Sequence, residues 1–312
     1  MNFSIIIPCK KRTSYLDECL KNIKRMSLKD YEVIVLPDKK EIIPGVRVIP
    51  LKAGPAEKRD LGVKKAKGKF IAFIDDDAFP DRDWLKNSLK YFKKGFAAVG
   101  GPQITPRTDS FSQKVSGYTL SSQMVGGLRS RYESVGSPFE IDDWPTVNFL
   151  IKKSVFKQVG GFDSAYYPGE DTKLCLDVMS AGYKMVYAPD VVVYHHRRKG
   201  LKAHLKQVSN YGFHRGYFVK KFPQTSFRLN YFLPSLFLLF FLFGSSSWFF
   251  SGSLFYLFSL VMLSYLVFGF LEGLRLSRSL SYSFIMPFYI LLTHLFYGAS
   301  FIKGIFTKNL LK

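Results

Sequence analysis

The stretch "GPAEKRDLGVKKAKGKFIAFIDDDAFP", residues 54–80, decides how the chain folds. Residues 54–68 read as a helix, with Gly68 placed as a stop. Residues 69–74, "KFIAFI", read as a buried strand that ends abruptly in Asp75, Asp76 and Asp77. Three adjacent carboxylates repel one another. A solvated turn with capping aspartates accounts for one or two of them. Three at the end of a core strand point instead to a divalent cation, because clustered carboxylates become stable when a cation neutralises them. Mg²⁺ or Mn²⁺ takes one or two carboxylates and fills its remaining positions with phosphate oxygens and water. The Asp and Gly spacing is wrong for a calcium-binding EF-hand loop. On an extended chain Asp75 and Asp77 alternate onto one side, with Asp76 pointing elsewhere.

Outward from this unit the same alternation recurs. "FSIIIP" (3–8), "YEVIVLP" (31–37), "VRVIPL" (46–51) and "FAAVGG" (96–101) read as strands. Residues 13–26 form an amphipathic pattern with Leu16, Leu20 and Ile23 on one face, capped by Thr13 or Ser14, and 81–95 form another helix. Strands alternating with helices imply an α/β fold with a parallel sheet covered on both faces. Ligands of such sheets bind outside the carboxyl ends of the strands, where Asp38 and Asp75–Asp77 fall.

The second half is less regular. Residues 102–145 read as loop and short helices, 146–153 as a strand, and a helix begins near Gly169. Residues 185–189 and 191–196 are strand-like, and 201–222 form a basic helix. Three hydrophobic stretches follow, at about 229–250, 253–271 and 282–303. The first two suit membrane spans of roughly 20 apolar residues. The third, interrupted by Pro287 and His294, is open between a span and an interfacial segment. Basic residues flank the first pair on one side, as the positive-inside rule expects for a cytoplasmic N-terminal part.

The chain of 312 residues carries a net charge of +21. From Leu229 onward there are five basic residues against Glu272 alone, so most of the excess lies before the hydrophobic tail. Such a charge suits nucleic acid, an anionic membrane surface or a phosphorylated ligand. With hydrophobic spans present and no recognised nucleic-acid module, membrane lipids are the expected partner and nucleic acid is not. The three cysteines, without paired spacing, read as reduced thiols. The first residues do not form the basic and apolar regions of a signal peptide, so the N-terminal part is expected in the cytoplasm.

Three further groups bear chemistry. Glu170 and Asp171, in "YPGEDTKL", sit at a helix start, where acidic residues favour the macrodipole, and where one carboxylate across from a phosphate site can act as general base. His195 and His196 end a strand, so only one of them faces a given site; the alternatives are a basic surface patch and a metal or phosphate contact. Lys58 and Arg59 can reach a diphosphate, Arg59 bidentately.

In order, "SIIIPCKKRTSYLDECL", "YEVIVLPD", "GPAEKRDLGVKKAKGKFIAFIDDD", "TVNFLIKKSVFKQVGGFD" and "GEDTKLCLDVMSAGYKMVYAPDVVVYHH" resemble the successive blocks of family 2 glycosyltransferases of GT-A fold, over residues 3 to about 222. The resemblance implies a GT-A-type, mostly parallel sheet flanked by helices. A domain of residues 1–222, with a nucleotide-binding half to about 101 and an acceptor half from 102, precedes a membrane-anchoring region at 223–312. It implies inverting transfer from a nucleotide-diphosphate sugar to a hydroxyl acceptor with a divalent cation (Mg²⁺ or Mn²⁺). In this reading Pro8, Asp38, Arg59, Asp75, Asp76 and Asn148 serve the nucleotide sugar. Asp75, Asp77 and His195 hold the metal, Asp171 is the base and Glu170 its neighbour. The family's P-x-Y-N and D-D-G-S blocks are here Pro8-Cys9-Lys10-Lys11 and Pro37-Asp38-Lys39-Lys40, and the Q-x-x-R-W spacing of processive members is missing. The location implies a lipid-linked saccharide as acceptor. An inactive sugar-nucleotide-binding scaffold is the alternative. A nucleotidyltransferase stands further off, since "PCKKRTSY" has none of the glycines its phosphate loop needs.

Overall fold

The computed structural model describes residues 1–125 and 129–310. Among the described residues two compact units emerge, one of residues 1–104 and 133–196, the other of 105–125, 129–132 and 197–310.

The first unit opens with β1 (Phe3–Pro8), α1 (Ser14–Arg25), β2 (Tyr31–Leu36), β3 (Arg47–Val48), α2 (Pro55–Lys65), β4 (Phe70–Phe73), β5 (Ala78–Pro80), α3 (Trp84–Lys93), β6 (Ala98–Gly100) and β7 (Gln103–Ile104). In the second unit α4 (Phe111–Ser121) and α5 (Arg129–Tyr132) follow. The chain then returns to the first unit for β8 (Phe139–Ile141), β9 (Phe149–Lys152), α6 (Lys153–Gln158), α7 (Glu170–Ser180), β10 (Met185–Tyr187) and β11 (Val193–His195). The eight-stranded sheet runs β3-β2-β1-β4-β9-β6-β10-β8, and a three-stranded sheet runs β5-β11-β7.

Strict side-chain alternation buries both faces of the large sheet. Ile5 and Ile7 of β1 join Val33, Val35 and Ala72 beneath α1 and α3. Ile6 joins Ile34, Leu36, Ile71 and Phe73 beneath α2, α6 and α7. Helix α2 sits close enough to β1 that a Cβ on Gly62 would stand 2.6 Å from Ile6, so Leu or Val at that position would push helix and strand apart.

The sheet is mixed rather than uniformly parallel. β9 lies antiparallel between β4 and β6, and β8 antiparallel beside β10. The expected strand 46–51 pairs regularly only at Arg47–Val48. Pro50, which has no N–H to donate, interrupts it, although Ile49 and Leu51 still donate to Val35 and Pro37. The region expected to be loop and short helices contains an 11-residue helix, α4, with a capping box between Ser110 and Gln113.

The second unit continues with α8 (Leu201–Lys221), α9 (Pro223–Ser226), α10 (Leu229–Ser246), α11 (Gly252–Ser277) and α12 (Leu280–Phe306). The last three are long and apolar enough to cross a membrane by length and composition. Both α11 and α12 run past the hydrophobic stretches read from sequence.

Candidate active site

The carboxyl ends of β1, β2 and β4 lie side by side, because these strands are parallel and adjacent. Pro8 closes β1, buried, in register with Leu36. Asp38 follows β2, and its carboxylate pairs with the ammonium of Lys58, a side chain only 3% exposed. Lys58 also donates to the Cys9 carbonyl at 2.6 Å. The hydrogen bond from Lys58 holds the Asp38 carboxyl below the usual range. Lys58, expected to reach toward a diphosphate, instead ties the ends of β1 and β2 together.

Arg59, the next residue on α2, is 5% exposed. Its Nη2 donates to Asp75 Oδ1 at 2.7 Å and its Nη1 to Glu170 Oε1 at 3.0 Å. One guanidinium therefore joins the end of β4 to the first turn of α7. Burial pushes the Glu170 carboxyl above the usual range, against the pull of Arg59. Asp171, beside it, is half-buried and accepts from the Thr172 N–H at 2.8 Å.

The aspartate trio is not extended. Asp76 and Asp77 lie in a turn, and Ala78 N–H donates back to Asp75 O at 3.2 Å. The turn leads into β5, which pairs antiparallel with β11 so that His195 stands opposite Ala78. This register brings the imidazole to the aspartates. Single ligand atoms of Asp75, Asp77 and His195 lie within 4.8 Å of one another. His195 Nδ1 bonds Gln103 Oε1 at 2.7 Å, and Nε2 lies 3.1 Å from Asp77 Oδ1. With the Nδ1 proton given to Gln103, the Nε2 lone pair faces the carboxylate, an orientation that a second-sphere partner ordinarily imposes on a metal-binding histidine.

This donor set fits a divalent cation. Two carboxylates and an imidazole suit Mn²⁺ or Mg²⁺, and neighbouring ligands of an octahedral ion at about 2.1 Å stand about 3 Å apart. His196 turns the other way, as alternation requires, with Nε2 at 2.9 Å from Glu18 and its ring 4.4 Å from that of Tyr15.

Asn148 does not join this group. It is fully buried; its Nδ2 donates to Pro102 O and Val191 O at 2.8 and 2.7 Å, and its Oδ1 accepts from Trp84 Nε1 at 2.8 Å. Its amide is satisfied within the protein, so the expected contact with a nucleotide sugar is replaced by a brace among β9, α3 and the segment before β11. Burial pushes the Cys9 thiol up to about 12, with the charge of Asp76 adding to the effect, so Cys9 stays protonated and is no nucleophile. Sequence reading overlooked Gln103. The one available signal is a polar residue just before Ile104 in the short segment after Pro102.

Burial pushes Asp60, next to Arg59, up to about 6, although its carboxylate accepts from Phe162 N–H at 3.0 Å. A folded pKa above the unfolded value favours the folded state at low pH. Stability of the first unit is thus expected to decline between about pH 4 and 6 through this group and to level off above. The variant Asp60→Asn, followed by thermal unfolding against pH, is expected to lose that part of the decline. An unchanged slope would overturn the assignment.

Glycosyl transferase family 2 matches residues 4–160, just over half of the chain and including β1, the aspartate turn and Arg59. The chain belongs to this family. It is 29% identical over 164 residues to the pre-mycofactocin glycosyltransferase of Mycobacterium tuberculosis, covering 52% of this chain but only 34% of that protein. It is 25% identical over 245 residues to the dolichyl N-acetyl-alpha-D-glucosaminyl phosphate 3-beta-D-2,3-diacetamido-2,3-dideoxy-beta-D-glucuronosyltransferase of Methanococcus voltae, covering 71% of this chain and 75% of that one. Among solved structures, the mannosyltransferase PcManGT of Pyrobaculum calidifontis, in complex with GDP-Man and Mn²⁺, shares the fold. The TM-score is 0.56 at 15% identity over 99% of this chain and 88% of that one. The family 2 chain thus has a GT-A-type α/β core with a divalent-cation ligand set, followed by apolar helices consistent with membrane attachment.

Proposed function

We propose that the chain is a metal-dependent glycosyltransferase that moves a sugar, with inversion, from a nucleotide-diphosphate sugar to a hydroxyl of an acceptor at the membrane. The observation that carries the proposal is the meeting of Asp75, Asp77 and His195 at the strand ends, in a family 2 core where Arg59 links Asp75 to Glu170.

In this reading Asp75, Asp77 and His195 hold the cation, which when bound supplies positive charge to a leaving diphosphate. Pro8 and Asp38 bound the nucleoside side, and the Lys58 bridge fixes Asp38 there. Asp76 serves the same side from the aspartate turn. Both terminal nitrogens of Arg59 donate to carboxylates, so its part is to position Asp75 and Glu170 rather than to grip phosphate. Asp171, more open than Glu170 and at a helix start, takes the proton from the acceptor hydroxyl.

Residues 1–222 form the catalytic region and 223–312 the anchor in this proposal. Arg228, Arg275 and Arg278, at the ends of the first two apolar helices, favour a cytoplasmic catalytic side. The dolichyl-linked substrate named for the Methanococcus voltae relative supports a lipid-linked saccharide as acceptor and a role in envelope glycan or glycoconjugate synthesis.

The test is a panel of nucleotide-diphosphate sugars offered to the purified full chain in detergent, with Mn²⁺ or Mg²⁺ and with excess chelator. Metal-dependent binding and turnover of one donor is expected, with activity abolished by chelator and restored by added cation. Full activity in chelator would remove the metal role, and binding of no donor would overturn the transferase reading.

A further inference from the structure

Helices α10 and α11 form an antiparallel hairpin. The Phe237 ring stacks on Tyr265 at 4.9 Å, and further along Gly244 lies so close to Phe258 that a Cβ there would meet its ring at 2.2 Å. The turn at Ser247–Phe249 closes the far end, so the start of α10 and the end of α11 are the two feet.

The contacts of α12 run down one leg of this hairpin and back up the other. Its first turn meets the foot of α11, where a Cβ on Gly273 would stand 2.6 Å from Ser283. Pro287 lies beside Gly269, and His294 Nδ1 is 2.9 Å from the Tyr265 hydroxyl. Beyond His294 the partners change to α10. Ser235 Oγ donates to Gly298 O at 3.1 Å, and the Phe232 and Phe301 rings are 5.0 Å apart near the foot of α10. Both ends of α12 therefore lie at the feet. Its deepest point, His294, is level with Phe237 and Tyr265, about 12 Å from the foot along α10 and about 18 Å along α11 at 1.5 Å per residue.

Helix α8 follows the second half of α12 in parallel. His204 Nε2 is 2.8 Å from Thr293 Oγ1, Gly212 and Gly216 allow close approach to Tyr297 and Phe301, and Lys220 Nζ donates to Thr307 O at 3.0 Å. The outer side of α8 exposes Lys202, Lys206, Lys220 and Lys221. An upright crossing by α12 would place the exposed Lys202 and Lys206, which flank the His204–Thr293 contact at the middle of α12, at hydrocarbon depth, a costly placement. On its other side α12 exposes Phe284, Phe288, Phe296 and Phe306, an apolar face suited to lipid.

We propose that α12, despite a length and composition fit for spanning, does not cross the bilayer. It lies in the membrane interface and bridges the feet of the α10–α11 hairpin, which makes the crossing. Ser281 and Lys308 then face the same side of the membrane as Lys221, and the hairpin turn faces the other. Trp248 at that turn, 67% exposed, suits the far headgroup level. The inference concerns lipid contact alone and stands apart from the transferase reading.

The test places single cysteines in the full chain, Lys221→Cys, Ser253→Cys, Ser281→Cys and Lys308→Cys, in sealed vesicles treated with a membrane-impermeant maleimide. The native Cys9, Cys19 and Cys175 are buried, which keeps background labelling low. Positions 221, 281 and 308 are expected to label from one side and 253 from the other. Labelling of 308 from the side opposite 281 would show that α12 spans. Labelling of 253 from the same side as 281 would show that the hairpin does not cross. Either result overturns the proposal. Nitroxides on Phe288→Cys and Phe296→Cys give an independent reading by their accessibility to lipid-soluble relaxing agents. Similar depths are expected, whereas an upright spanning helix would separate them by about 12 Å.

Discussion

Asp171→Asn is expected to lower sugar transfer by about 10²–10⁴-fold, the usual contribution of a general base, while donor binding changes little. Asn keeps the side chain's shape and the oxygen that accepts from Thr172 N–H, so the first turn of α7 should hold. What it loses is the capacity to take a proton from the acceptor. The neighbouring Glu170 is a poor substitute, because it is buried and bound to Arg59. The measurement is single-turnover transfer alongside metal-dependent donor binding, on the same preparation. A loss of both would mean that Asp171 helps to hold the donor, and normal turnover would refute its role as base.

What the sequence revealed and what it hid follow from the range of each interaction. The buried runs of β1 and β4 are local patterns, and so is the break from Ile74 to Asp75. They disclosed the α/β core and the cation-binding end of β4. The orientation of β9 was not legible, since a short buried run reads the same whether its neighbours run with it or against it. His195 was singled out from its strand position, but its approach to Asp77 depends on the pairing of β11 with β5, across more than a hundred residues. The partners of Lys58 and Arg59 are equally remote. Nothing in "AEKRD" announces that one cation binds Asp38 and the other bridges Asp75 and Glu170. The partners of Asn148 are hidden for the same reason, because the carbonyls that satisfy its amide belong to distant segments.

Arg59 carries the second large effect. Its side chain is 5% exposed and that of Glu170 6%, so Arg59 is the principal compensation for Glu170 leaving water, while Arg59 itself is shared between Asp75 and Glu170. Removing one partner of such a pair typically costs about 3–5 kcal/mol, because the remaining charge stays buried and unmatched. Arg59→Leu is therefore expected to lower stability by about that amount and to abolish transfer. The loss should grow with pH. Glu170 already lies above the usual carboxylate range through burial, and without Arg59 it rises further. A raised folded pKa makes the variant relatively more stable at acid pH and less stable as pH rises through that value. Arg59→Lys keeps a charge but not two fixed donors, so it should recover part of the stability and little activity. The double variant Arg59→Leu with Glu170→Gln removes the buried charge altogether. It should recover much of the stability and still fail to transfer sugar, because Asp75 has lost the contact that fixes it beside Asp77 and His195. Chemical unfolding of the parent chain, these three variants and Glu170→Gln alone at two pH values, with donor turnover, separates these outcomes. Additive stability effects of the two substitutions would mean that Arg59 and Glu170 are not coupled. Full activity in the double variant would mean that Asp75 needs no such support.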